Sequence, residues 1–226
     1  MDEVVASQKQ SWYYAFVRKD IEPLLPVSTP RVLEIGCGGG GTLAWIKQSG
    51  RAQWTVGIEL SAEAAAIART RVDDVRCGDA NVLLAGFPEG TFDLVLCLDV
   101  LEHLVDPWAA LSQIQTLLRP GGRIITSLPN VRHHSVVLPL LFRGRWEYRE
   151  AGIMDRTHLR FFSRQGMAAL IRGAGLREIR ALPTYTWGGW DKWKDIATLG
   201  LLRGLLAFQY LILAERPAAT DGGSSA

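Results

Sequence analysis

Cysteine is scarce in this chain of 226 residues, and so is any excess of one charge. The three cysteines, Cys37, Cys77 and Cys97, are odd in number, far apart and without the paired spacing of a metal site. This pattern argues against a disulfide framework, and we expect buried thiols in a reducing compartment and no bound metal. The 25 basic and 23 acidic residues nearly cancel, so the charge pattern typical of a nucleic-acid-binding protein is also missing.

The sequence also lacks a secretory signal and a clear membrane span. The first residues show no charged segment followed by an apolar run and a small-residue cleavage site, so we expect a cytoplasmic protein. The longest apolar stretch, residues 196–214, has the length of a membrane span. We interpret it as soluble, because residues 196–206 are typical of a helix and residues 208–215 of a buried strand. Peripheral contact of this stretch with a membrane surface is the alternative.

What the chain does contain is a regular alternation of strand-like and helix-like segments. Apolar runs predict strands at 32–35, 54–58, 75–77, 92–98 and 123–127, with helices or turns between them at 41–49, 62–71, 80–86 and 107–118. Two further strands are predicted at 177–182 and 208–215. This order predicts an α/β fold whose doubly wound, mostly parallel seven-stranded sheet has right-handed crossovers and carries helices on both faces.

The length and the 48% of hydrophobic residues favour one domain, residues 1–216, followed by a disordered polar tail at 217–226. Within the domain, three segments depart from the alternation. We predict an amphipathic helix at 7–25 in the N-terminal residues 1–26, an irregular insertion or lid at 129–162, and a helical insertion at 186–206. After the second of these, Ser163 is expected to cap a helix at 164–173.

The most informative segment is residues 31–43, where an apolar run breaks into four consecutive glycines and then into helix-forming residues. This order predicts a strand, a tight turn and a helix start, where a nucleotide can lie against bare backbone. The glycines fit the dinucleotide-binding pattern G-x-G-x-x-G, and Glu59 follows the next strand, where an acid would meet a ribose. However, Glu34 stands two residues before Gly36, and the glycines also fit E-x-G-x-G-x-G. In that form the segment resembles motif I of the class I S-adenosylmethionine-dependent methyltransferases.

Three further landmarks of that family follow in the expected order. Gly-Asp-Ala at 78–80 follows the third strand, Leu-Asp-Val-Leu-Glu-His-Leu at 98–104 follows the fourth, and Leu-Leu-Arg-Pro-Gly-Gly at 117–122 precedes the fifth. Together the landmarks cover about residues 32–128, and their joint occurrence favours a methyltransferase over a nicotinamide oxidoreductase. A non-catalytic cofactor-binding or scaffolding protein is the other alternative.

The resemblance implies S-adenosyl-L-methionine as the cofactor and assigns residues to it. Glu34 would order the glycine loop, Glu59 would hold the ribose hydroxyls, and Asp79 would accept from the adenine amino group. The backbone at Leu98 would meet the methionyl ammonium. The whole implied set is Glu34, Gly36, Cys37, Gly38, Glu59, Leu60, Asp79, Ala80, Leu98 and His103. Simpler alternatives are that Asp79 and Asp106 cap helices and that His103 only orders its loop.

The second half of the chain resembles a bacterial methyltransferase subgroup associated with surface-glycan and secondary-metabolite pathways. The resemblance is carried by Leu-Pro-Asn-Val-Arg-His-His at 128–134, Gly-Arg-Trp-Glu-Tyr at 144–148 and Asp-Arg-Thr-His-Leu-Arg-Phe-Phe-Ser at 155–163. It implies a small-molecule acceptor, methylated at a hydroxyl; methylation at nitrogen is the alternative. Residues 129–162 would then form the acceptor side of the site.

A hydroxyl acceptor needs a base, and histidine has the most suitable pKa. His133, His134 and His158 all lie in the irregular insertion. We favour His158 because Asp155, three residues earlier, is placed to orient its imidazole, whereas His133 and His134 directly follow the fifth strand. The alternative is that these residues form an internal polar network that locks a lid.

A group of aromatic residues accompanies this insertion and the C-terminal helical segment. It could form a wall for a sugar or aromatic acceptor; alternatively, it packs the C-terminal helix or a homodimer contact. The group consists of Trp146, Tyr148, Trp187, Trp190 and Trp193.

Overall fold

A seven-stranded sheet organises the computed structural model of the chain, which describes residues 16–186 and 189–218. In chain order the elements are β1 (Arg31–Ile35), α1 (Gly41–Gln48), β2 (Trp54–Glu59), α2 (Ala62–Ala68), β3 (Asp74–Cys77), α3 (Ala80–Leu83), β4 (Phe92–Leu98), α4 (Pro107–Leu117), β5 (Leu118–Pro129), α5 (His134–Arg143), α6 (Arg164–Gly173), β6 (Arg177–Thr184), α7 (Trp190–Ala197), α8 (Arg203–Leu206) and β7 (Gln209–Glu215). Short 3-10 helices lie at Lys19–Leu24, Leu84–Gly86 and Leu101–His103.

The strand order is β3-β2-β1-β4-β5-β7-β6, with β7 antiparallel to both of its neighbours and the other pairs parallel. The predicted doubly wound, mostly parallel sheet is thereby confirmed. The chain order reverses between β1 and β4, and in sheets of this kind the ligand site lies there, at the carboxyl ends of the strands.

The inner strands β1, β2, β4 and β7 are mostly buried, which explains why they are largely apolar, whereas the edge strands β3 and β6 are partly exposed. On one face Leu94 and Leu96 of β4 pack with Leu43 and Ile46 of α1. On the other face Val95 and Cys97 of the same strand belong to the core that includes α4 and α6. Burying a leucine or isoleucine side chain in this way contributes about 1.5–3 kcal/mol, so these two cores hold the strand ends in place.

The helix caps predicted at Asp106 and Ser163 are present, and Asp79 also caps a helix, which was the alternative to its role at the cofactor. The Asp79 carboxylate accepts from the backbone N–H of Asn81 at 2.9 Å, and that of Asp106 accepts from Ala109 at 2.9 Å. The Ser163 hydroxyl accepts from the backbone N–H of Gly166 at 3.2 Å. Each bond satisfies an N–H that has no partner inside its helix.

Other local predictions are wrong. The described part of the N-terminal segment forms only the 3-10 helix, which contains Pro23, instead of an α-helix to residue 25; residues 7–15 of that prediction lie outside the described residues. The predicted helix at 196–206 is interrupted between α7 and α8, because Leu199 and Gly200 adopt left-handed φ angles of 51° and 80°. The insertion at 129–162 is not irregular throughout, since it contains α5.

The prediction that all three cysteines are buried is wrong for one of them. Cys37 and Cys97 are buried as expected, whereas Cys77 is exposed at the end of β3.

In the part of the chain that the structure describes, no helix is both long and apolar enough to cross a membrane.

Candidate functional site

The loop after β1 is a glycine turn that only glycine fits. Gly36, Gly38 and Gly40 have φ angles of 69°, 53° and 75°, a region that other residues rarely adopt. A Cβ on Gly36 would lie 2.8 Å from the Val100 side chain, whereas nothing lies within 4 Å of a Cβ position on Gly38. The turn therefore packs tightly on one side and presents bare backbone to open space on the other.

Glu59, at the end of β2, holds this turn. One carboxylate oxygen accepts from the backbone N–H of Gly38 at 2.8 Å, and the other accepts from Ser61 at 2.9 Å. Gly57 of the same strand leaves room for the turn, because a Cβ there would lie 2.5 Å from the sulfur of Cys37. The carboxylate thus joins the loops that follow two adjacent strands.

A cavity of about 710 Å³ opens beside the glycine turn, within the range typical of small-molecule sites. Half of the predicted cofactor-binding set lines it: Glu34, Gly36, Cys37, Gly38 and Leu98. Phe208 and Gln209 line the opposite side, where β7 begins. The cavity therefore lies at the reversal of strand order, where the fold predicts a ligand.

Sequence reasoning missed four charged residues of the cavity wall, Arg18, Lys19, Asp20 and Asp99, of which Arg18 and Asp99 face each other. Asp99, directly after β4, has a left-handed φ of 57°, which is strained for a residue with a side chain. Its carboxylate is ion-paired with Arg18 and accepts from Gln209 and, at 2.8 Å, from the Ser127 hydroxyl. The position of Asp99 within the motif at 98–104 was a usable signal. No local signal marked Arg18, which is brought to the site from the N-terminal segment.

Glu34 is buried at the back of the cavity, and one of its oxygens has no hydrogen-bond partner in the described chain. Burial raises its pKa to about 8, although the charge of Arg18 acts in the opposite direction. The side chain is therefore largely protonated at neutral pH in the absence of a ligand. An unsatisfied polar atom in a ligand-sized cavity fits a site whose polar partner belongs to the ligand.

The remaining predicted cofactor residues follow β2 and β3. Leu60 is 75% exposed, and Asp79 is exposed while it caps α3. The Gly78 backbone N–H donates to the Glu59 carbonyl at 2.9 Å, which ties the two strand ends together. Glu59, Leu60, Asp79 and Ala80 thus lie on adjacent strand ends but do not line the 710 Å³ cavity.

His103 lies apart from this set and contacts His158. Their rings are 4.7 Å apart in an edge-to-face arrangement, and the His103 Nδ1 lies 3.2 Å from the Thr157 carbonyl. Glu102 is buried beside them, and both of its carboxylate oxygens lack a hydrogen-bond partner among the described residues. Burial raises the pKa of Glu102 well above its ordinary value. The contacts among His103, Thr157 and His158 are those expected of an internal polar network.

The predicted pairing of Asp155 with His158 is wrong. The Asp155 carboxylate accepts from the backbone N–H and the hydroxyl of Thr157 at 2.8 and 2.6 Å. The His158 Nδ1 instead lies 2.9 Å from the carbonyl oxygen of Ile153. A carbonyl can only accept, so this contact places a proton on Nδ1 and leaves the lone pair on Nε2.

His133 and His134 meet Asp191 of α7. The Nε2 atoms of the two histidines lie 3.7 and 3.3 Å from one Asp191 oxygen. The His133 ring is 5.6 Å from the ring of Phe208, which lines the cavity. Burial, reinforced by His134, lowers the pKa of His133 to about 4, which makes it a weak base.

Two groups of the described residues therefore offer three metal-binding side chains each, although the spacing along the sequence predicted no metal site. They are Glu102, His103 and His158, and His133, His134 and Asp191. In the first group His103 and His158 come from segments that are far apart in the chain. In the second group Asp191 is supplied by α7. Linear spacing therefore carried no signal for either group.

Comparison with known proteins places these features in context. A family profile described as a methyltransferase domain matches residues 10–181. The ubiquinone biosynthesis O-methyltransferase of Xylella fastidiosa is 29% identical over 221 residues, covering 91% of this chain and 83% of that protein. The protein of that name from Xanthomonas euvesicatoria is 32% identical over 208 residues, covering 85% and 79%. In structure, a SAM-dependent methyltransferase from Archaeoglobus fulgidus superposes with a TM-score of 0.65 at 18% identity, covering 91% of this chain and 94% of that one.

Proposed function

The chain belongs to the class I S-adenosylmethionine-dependent methyltransferases, and we propose that it methylates a hydroxyl group of a small molecule. The observation that carries the proposal is the cavity at the reversal of strand order, bounded by the bare glycine turn and by Asp99. Relatives named as O-methyltransferases support oxygen as the atom methylated. The acceptor class is a sugar, glycan precursor or secondary metabolite.

The residues around the cavity fit S-adenosyl-L-methionine. The backbone of Gly38 has open space where a side chain would otherwise block a close ligand, and Glu34 offers a buried oxygen without a partner. We expect Gly36, Cys37 and Gly38 to line the methionine part of the cofactor, with Asp99 facing its ammonium and Arg18 its carboxylate. In the structure Arg18 and Asp99 form an ion pair with each other. Cofactor binding would replace it with one ion pair between Asp99 and the ammonium and another between Arg18 and the carboxylate.

The side chains at the ends of β2 and β3 fit the nucleoside. Glu59 is proposed to hold the ribose hydroxyls while it keeps its bond to Gly38. Asp79 is proposed to accept from the adenine amino group, with Leu60 and Ala80 against the ring. Asp79 already accepts from Asn81, so its other oxygen is the one offered to the ligand.

When bound, the cofactor supplies a methyl group that is already activated on a sulfonium. The protein then has to position the acceptor and remove its proton, and positioning supplies most of the rate acceleration. We propose His158 as the base, because the Ile153 carbonyl holds its proton on Nδ1 and leaves Nε2 able to accept. Residues 129–162, which carry His158, are proposed to wall the acceptor site.

A screen of acceptors tests the proposal directly. The purified chain is incubated with S-adenosylmethionine and panels of phenols, sugars and amines, and products are sought by mass spectrometry. We expect hydroxyl compounds that gain one methyl group. A methylated amine as the only product would contradict oxygen as the target, and tight binding of the cofactor product without any turnover would favour a non-catalytic cofactor-binding protein.

A further inference from the structure

His133, His134 and Asp191 form a compact group beside Phe208, which lines the cavity. The two histidines lie at the start of α5 and Asp191 lies in the first turn of α7. Their ligand atoms all lie within 4.8 Å of one another. We propose that this group binds a divalent transition-metal ion, with zinc as the best fit, and that the ion clips α7 to the segment after β5.

The distances suit a metal ion. Zinc binds imidazole nitrogen and carboxylate oxygen at about 2.0–2.2 Å in a tetrahedral arrangement, which places pairs of ligand atoms roughly 3.4 Å apart. The two Nε2 atoms are 3.7 and 3.3 Å from the shared Asp191 oxygen. Two imidazoles and one carboxylate favour zinc, cobalt or nickel over magnesium or calcium, which prefer oxygen ligands only.

An unpartnered nitrogen is the second, independent observation. The Nε2 atom of His133 has no hydrogen-bond partner among the described residues, and the side chain is 2% exposed. Its other nitrogen, Nδ1, lies 2.8 Å from the Ser135 hydroxyl and accepts from the Ser135 backbone N–H at 3.3 Å. Binding of the ion would therefore release the proton from Nε2, and the Ser135 hydroxyl is the group that could accept from a protonated Nδ1. Metal-bound histidines usually have such a partner on the second nitrogen, because it fixes the orientation of the ring. Ser135 is therefore the positioning residue of the proposed site.

Asp191 is already prepared as a ligand. Lys194 donates to Oδ1 at 3.3 Å and Thr186 donates to Oδ2 at 3.2 Å, while Oδ2 also faces both imidazoles. The carboxylate is nearly buried, with 9% of the side chain exposed. The simpler interpretation is an ion pair between Asp191 and a protonated His134, and that interpretation leaves Nε2 of His133 unsatisfied.

The location gives the ion a structural role. Asp195, one turn after Asp191, accepts from Tyr185 at 2.5 Å and from Arg203 at 2.9 Å. Tyr185 and Phe208 both line the cavity, so an ion at Asp191 would fix the helix on which this wall depends. The ion takes no part in methyl transfer, and the inference does not depend on the proposed acceptor.

Calorimetric titration of chelator-treated protein with Zn²⁺ alone tests the site. We expect one ion per chain, a higher thermal midpoint of unfolding, and, with Co²⁺ instead, the visible absorption of a tetrahedral site. Ser135→Ala, which removes the hydroxyl beside His133, should weaken zinc binding by roughly 10- to 100-fold. His134→Gln and Asp191→Asn, which each remove a ligand, should weaken it further. Circular dichroism checks that each variant is folded.

The matched control is His158→Ala, which removes one imidazole from the other histidine group. It should bind zinc as the unaltered chain does. Saturable binding that is lost in this control but kept in His134→Gln would place the ion at the other group and overturn the proposal. Absence of saturable zinc binding to the unaltered chain would overturn it as well, and would favour the ion pair.

Discussion

The carboxylate of Glu59 and the backbone N–H of Gly38 lie 2.8 Å apart, and this bond joins the loops after β2 and β1. The acid that the sequence assigned to the ribose thus also holds the glycine turn. Its removal should therefore affect both the shape of the turn and the contact with the ligand.

Glu59→Ala is expected to weaken binding of S-adenosylhomocysteine by roughly 1–3 kcal/mol, the scale for leaving charge-assisted hydrogen bonds unmade. Calorimetry measures the affinity. Glu63→Ala, an exposed glutamate in the first turn of α2, is the matched control and should bind normally. Equal affinity in both variants would remove Glu59 from the ribose site.

Glu34 should make the cofactor-free protein less stable as the pH rises. Its pKa in the folded state is raised from 4.5 to about 8, so the folded state binds the proton more tightly than the unfolded state. This contribution to stability is complete below pH 4.5 and is lost as the pH rises towards 8. Glu34→Gln cannot ionise, so its free energy of unfolding should exceed that of the unaltered chain above pH 8.

Urea denaturation over this pH range measures the difference. Glu89→Gln, which alters an exposed glutamate, should follow the pH dependence of the unaltered chain. If the free energy of unfolding of Glu34→Gln shows the same pH dependence as that of the unaltered chain, the Glu34 carboxyl is ionised in the folded state. Its neighbours would then offset the free-energy cost of burying the charge.

Gly36→Ala should destabilise the fold. A left-handed φ of 69° costs a residue with a Cβ roughly 1–2 kcal/mol, and the new methyl group would also displace Val100. Gly173→Ala, in α6, meets nothing within 4 Å and should be neutral or stabilising by up to about 1 kcal/mol. The free energies of unfolding of the two variants give the comparison, and equal values would show that the turn tolerates a side chain.

Only one of the three cysteines should react rapidly with thiol reagents. Burial raises the pKa of both Cys37 and Cys97, whereas Cys77 is exposed. Because Cys77 precedes the proposed adenine site, bound S-adenosylhomocysteine should slow its labelling. Mass spectrometry of labelled peptides measures this, with Cys77→Ser as the control. A labelling rate that is unchanged by the ligand would place the adenine elsewhere.

His158→Ala is expected to lower turnover on a hydroxyl acceptor by about 10²- to 10⁴-fold while it leaves cofactor affinity intact. Single-turnover kinetics and calorimetry on the same preparation separate the two quantities. Loss of stability or cofactor binding along with activity would favour the internal network of His158 with His103. Near-normal turnover in the alanine variants of His133, His134 and His158 would mean that positioning alone carries the reaction.

The sequence by itself determined the features that depend on neighbours a few residues apart. Ser163 and Asp106 cap their helices because each side chain reaches an N–H three residues ahead. Gly36, Gly38 and Gly40 form the predicted turn because only glycine adopts these angles without cost. The largely apolar inner strands likewise required a sheet covered on both faces.

Only the tertiary structure decided which distant side chains meet. Arg18 pairs with Asp99, 81 residues away, and His134 meets Asp191, 57 residues away. Asp155, although close to His158 in sequence, bonds to Thr157 instead. The helix predicted at 196–206 is interrupted at Leu199 and Gly200, and Asp195, just before this break, is held by Tyr185 and Arg203. Such contacts depend on the path of the chain through the folded molecule, and no periodicity along the sequence records that path.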